Sequence, residues 1–110
     1  MAIILHQTRK GQVFRCDHCD SLHVEFGTVE LRFSPEGFRT FWEMIDRLDL
    51  DAWEKSFAHS LHRRKIHIAV GNTGATFVLH KHEALELREL LACAAVKLHI
   101  RKHAADLHWN

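Results

Sequence analysis

The segment HVEFGTVELRFSPEGF, residues 23–38, constrains the chain more than any other, because three local rules point to one conformation. Val24 and Phe26 alternate with His23 and Glu25, while Val29, Leu31 and Phe33 alternate with Glu30 and Arg32, the period of two half-buried strands. Gly27-Thr28 is then a two-residue hairpin loop, and glycine in its first position suits a type II′ turn. Closing the loop there sets Phe26 opposite Val29 and Val24 opposite Leu31, so the apolar side chains share one face. Ser34 is placed to cap a helix that begins at Pro35, and Phe38, Phe41, Ile45 and Leu48 give that helix its apolar stripe.

The remaining elements follow from weaker versions of the same signals. Residues 3–8 and 12–15 read as two strands separated by the polar turn Arg9-Lys10-Gly11. Leu50, Trp53, Phe57 and Leu61 recur at helical spacing, which predicts a short amphipathic helix over 51–62. Residues 66–70 and 75–79 form a second hairpin around GNTG, with Val70 opposite Ala75 and Ile68 opposite Phe77. From Lys81 to about Leu107 the pattern is helical, with Ala84, Leu87, Leu91, Ala94 and Leu98 on one face. The string strand, turn, strand, helix therefore occurs twice, and aligning Phe33 with Leu79 matches Phe38, Phe41 and Ile45 with Ala84, Leu87 and Leu91. The expected class is α+β, an antiparallel sheet with helices on one face, built as two β-β-α units within a single domain over 1–110.

Composition limits the function classes. The chain has 110 residues, 46% of them hydrophobic, enough for one core and too few for two conventional domains. A net charge of +1 with neutral histidines tells against a general nucleic-acid binder, and the tripeptide Arg63-Arg64-Lys65 is too short to change that. Eleven dispersed histidines would carry the formal charge to +12 if all were protonated, so surface charge should respond strongly to pH near the ordinary imidazole value of about 6.5. No run approaches membrane-spanning length, and the apolar residues 2–5 are too few for a signal peptide. Three cysteines make no disulfide framework, so a reducing, cytoplasmic compartment is expected.

Cys16-Asp17-His18-Cys19 is the one compact chemical motif. Two intervening residues let both thiolates reach one tetrahedral Zn²⁺, but a structural site needs four ligands and no second cysteine pair follows. His18, His23 and His6 are the nearby candidates for completing it, and a two-fold dimer could instead supply a second pair. The same spacing suits a dithiol redox centre, although such centres open a helix after a strand and this one precedes a hairpin. A turn with no ligand is the third reading. His99 and His103, one helical turn apart, fit a solvated helix face better than a metal pair, and Cys93 among alanines reads as a small core residue.

At CxxC followed by HVEFGTVELRFSPEGF the chain resembles small uncharacterised bacterial proteins with a cysteine pair ahead of an F-G hairpin and helix. The resemblance implies Cys16 and Cys19 as site positions and no activity. The expected function is a non-enzymatic binding or regulatory module stabilised by zinc through Cys16, Cys19, His18 and His23, with a thiol oxidoreductase using the same cysteines as the alternative. The expected partner is a protein, a second copy above all. Leu85, Ala92, Val96, Ile100 and Leu107 form a further apolar stripe on the last helix, and a homodimer would cover it.

Overall fold

The computed structural model describes the backbone of residues 2–18 and 20–108, and side chains over 2–18 and 20–99. Four strands, β1 (Ile3–Gln7), β2 (Gly11–Arg15), β3 (Leu22–Phe26) and β4 (Val29–Phe33), form an antiparallel meander in sequence order. The central hairpin has the register expected from alternation: Phe26 faces Val29, Val24 faces Leu31 and Glu25 faces Glu30. Gly27 adopts φ 61 while Thr28 is not at positive φ, which matches a II′ loop and excludes I′. The like-charged Glu25–Glu30 pair is relieved from both sides, since Gln12 Nε2 donates to Glu25 (2.6 Å) and His23 Nδ1 lies 3.1 Å from Glu30 Oε1.

β4 passes into α1 (Pro35–Asp46), where Ser34 Oγ accepts the N–H of Gly37 at 3.0 Å and proline occupies the first turn. The C-terminal end of α1 has no basic residue of its own. Arg88 supplies one from another helix, donating to the carbonyl of Ile45, which also accepts the Leu48 N–H, and to that of Leu48 just beyond the helix. A short α2 (Leu50–Ser56) follows, capped by Asp49, whose carboxylate accepts from Ala52 N–H at 3.1 Å. This helix stops six residues short of the expected end, and Leu61 is fully exposed. The N–H and hydroxyl of Ser60 both donate to the carbonyl of Phe57, a local alternative to continued helical bonding.

β5 (Ile66–Ala69) and β6 (Thr76–Leu79) pair only with each other, so the second hairpin is a separate two-stranded sheet. The fold is α+β, but the two hairpin-helix units do not share one sheet. Their packing positions do correspond: Phe38, Phe41 and Ile45 of α1 and Ala84, Leu87 and Leu91 of α3 (Lys81–His108) are all buried. α3 runs across β1, β2 and α1 and joins both sheets in one contiguous core with Leu5, Val13, Leu22, Val24, Ile66 and Ile68.

The start of α3 is locked by charge. Glu83 Oε1 accepts from His80 N–H (2.8 Å) and Arg64 Nε (3.1 Å), and its Oε2 accepts from Lys10 Nζ (3.2 Å). Glu86 accepts from Thr8 Oγ1 and the Lys10 N–H, both at 2.7 Å, so the β1–β2 turn sits directly on the helix. Gly11 permits this approach, because a Cβ there would lie 2.6 Å from the Glu25 carbonyl and 2.8 Å from Leu90 Cδ2. Burial would raise the Glu83 pKa, but the His80 N–H, Arg64 and Lys10 outweigh it and hold the carboxyl at about 2, below its ordinary 4.5. Among the described residues, no helix is long and apolar enough to cross a membrane.

Candidate functional site

One end of the meander opens into a cleft of about 1660 Å³, walled by the start of β1, the loop after β2, one side of α1 and the stretch of α3 over 95–99. Its floor is apolar, from Ile3, Leu5, Phe38, Trp42 and Leu98, and its rim is charged. The sequence places it there for a simple reason. Phe38 and Trp42 are one helical turn apart, so α1 turns a flank as well as its core stripe toward the sheet end. Val96, also in the wall, is 58% exposed.

The loop that follows β2 forms one side of the rim. Cys16 N–H bonds the Ser21 carbonyl (3.4 Å), and Arg15 pairs with Asp20, so the loop is clipped at its base by backbone and by charge. Cys16, Asp17 and His18 all line the cleft, with Cys16 half-buried and His18 exposed. Cys19 lies outside the described residues. His99 lines the same cleft from α3, which brings it to the space that His18 borders; the side chain of His103, its expected neighbour on the helix, lies outside the described residues.

His23 is placed differently. It sits mid-strand on the sheet with its ring stacked on Phe14 (4.6 Å between centroids, 7° between planes), and it does not line the cleft. Its Nδ1 faces Glu30, and Nε2 is buried without a partner among the described residues. Among the described residues, no three His, Cys, Asp or Glu side chains come together in a way that could hold a metal ion. Cys16 and His18 are thus the described residues of the expected ligand set that share one wall, and His23 is engaged elsewhere.

Two features of the site were absent from the sequence-based expectation. Trp42 contributes the largest side chain of the floor, and its indole N–H is buried with no acceptor among the described residues, an arrangement that costs about 1–3 kcal/mol. The signal for it was the Phe38 to Trp42 spacing. Arg88 was the other: by tying α1 to α3 it fixes the separation of two cleft walls, and only its place on α3 opposite the end of α1 reveals that role. A second aromatic group, Trp53, Phe57, His62 and His67, packs α2 against β5; His67 Nε2 donates to the Arg64 carbonyl at 2.9 Å.

The model of a family described as a family of unknown function, DUF6686, matches residues 1–109. The chain belongs to that family. No curated protein and no solved structure matches it. Membership in DUF6686 transfers no reaction to this chain.

Proposed function

We propose that the protein is a non-enzymatic binding module whose working surface is the cleft between the Cys16 loop, α1 and α3. The observation that carries this reading is the cleft's construction: an apolar floor around Trp42 and Phe38 inside a charged rim, the arrangement by which a pocket anchors an apolar group and orients it with a few polar contacts.

The Cys16-Asp17-His18-Cys19 turn serves this surface as a zinc-stabilised edge. The two-residue cysteine spacing supports that reading, as does the position of Cys16 and His18 on one wall. Protein purified without added metal should hold about one Zn²⁺ per chain or per shared site. A chelator should then lower the melting temperature of the wild type and leave the Cys16→Ser, Cys19→Ser variant unchanged. Equal responses from the two proteins would reject the metal. The cleft is tested separately, at the lowest protein concentration fluorescence allows, with an apolar environment-sensitive dye. Wild type should bind it, and Val96→Glu, which alters an exposed wall position, should weaken binding about tenfold or more without changing urea stability. A dye that binds both proteins equally would place the binding surface elsewhere.

A further inference from the structure

The chain is longer than its core requires. Its extents are 57 × 26 × 22 Å and its radius of gyration is 15.4 Å, against about 13 Å for a compact chain of this length. The cause is α3, whose 28 residues span about 42 Å. Its last fully buried described residue is Ala94, and Leu98 is its last described side chain packed on the core. From Leu98 to His108 the helix runs on for about another 15 Å.

From these dimensions and the charge of the rim we infer that the cleft receives the end of α3 from a second copy of this chain, reciprocally, in a two-fold dimer. This rests on the cleft being the binding surface. The register is self-consistent. The α3 residues in the cleft wall are Ala95, Val96, Leu98 and His99, and an antiparallel α3 pair with its axis near residue 100 lays the 101–105 stretch of one copy against the 95–99 stretch of the other. One isologous contact therefore fills both clefts. The space suffices, since two turns of helix occupy roughly 900 Å³, within a cleft of about 1660 Å³.

Charge points the same way. In the rim Arg15 pairs with Asp20 and Arg39 with Glu43, and Asp17 and Glu36 make up an excess of two acids. Over 97–103, α3 carries Lys97, Arg101 and Lys102 with His99 and His103, and no acid. A basic helix end against an acidic rim is complementary in a way that a neutral apolar peptide would not exploit. Val96, at the start of the same segment, is exposed in the single chain.

Sedimentation equilibrium from micromolar to millimolar concentration tests the inference with two charge-reversed proteins. Wild type should be a dimer. The helix variant Arg101→Glu, Lys102→Glu and the rim variant Glu36→Lys, Glu43→Lys should each associate about a hundredfold more weakly or worse, with unchanged circular dichroism. Mixing the two should restore a one-to-one heterodimer, because each then offers a partner of the sign the other needs. A wild type that stays monomeric, a dimer that survives either reversal, or a mixture that fails to pair would each overturn the proposal. The dye measurement keeps this failure distinct: a monomer that binds dye in a Val96-dependent manner retains the cleft and loses only its occupant.

Discussion

At the scale of single residues, the most consequential groups are polar ones that tie distant segments together. Glu83 joins the β1–β2 turn, the Arg64 segment and the start of α3, and its carboxyl is held at about 2. Because this folded-state value is depressed, its contribution is present above the unfolded carboxyl value of about 4.3 and is lost as pH falls toward 2. Urea unfolding between pH 5 and 2 should thus show a shallower pH dependence for Glu83→Gln than for wild type, and identical slopes would contradict the assignment. Arg88→Ala removes the charged donor to the Ile45 and Leu48 carbonyls and should cost about 1.5–3 kcal/mol in the same assay. Neither tie was legible in the sequence, since Lys10, Arg64 and Glu83 meet only after three separate segments have folded. Gly11 was read as a turn residue. The structure gives it a steric role, and Gly11→Ala should destabilise by about 1–3 kcal/mol by driving a methyl group into Glu25 and Leu90.

At the scale of elements, legibility tracked how locally each one is specified. The β3–β4 loop, the register of that hairpin and the Ser34-Pro35 start of α1 are decided by neighbours in sequence, and they stand as alternation and capping dictate. α2 was overextended because Leu61 continued the helical spacing while the competing Ser60 hydrogen bonds left no periodic trace. The separation of β5–β6 from the meander was illegible for a different reason: alternation states which face a strand buries, not which strand it pairs with. α3 was read correctly along its Leu87, Leu91, Ala94 face, but Leu90 is also fully buried, because the helix touches β2 on a second side. Leu91→Ala should cost about 2–5 kcal/mol in chemical unfolding, and a loss below about 0.5 kcal/mol would remove Leu91 from the core.

For the molecule as a whole, Cys16 and His18 of the cysteine motif border the cleft, but the motif did not disclose the cleft itself. Cys16 and His18 were visible as chemistry in the sequence; the cleft beside them depends on α1 and α3 converging from distant positions. His23 shows the limit of proximity along the chain, since a histidine four residues beyond Cys19 is committed to the sheet by Phe14 and Glu30. The central claim is that binding takes place in the cleft, whatever occupies it. Amide chemical shifts of ¹⁵N-labelled protein, followed as the apolar dye is added at low protein concentration, test it most directly. The shifts that move should cluster at Ile3, at residues 15–20, along 35–43 of α1 and at 95–99 of α3. Movement centred instead on the Phe14 and His23 face of the sheet, or on Trp53 and Phe57, would contradict it.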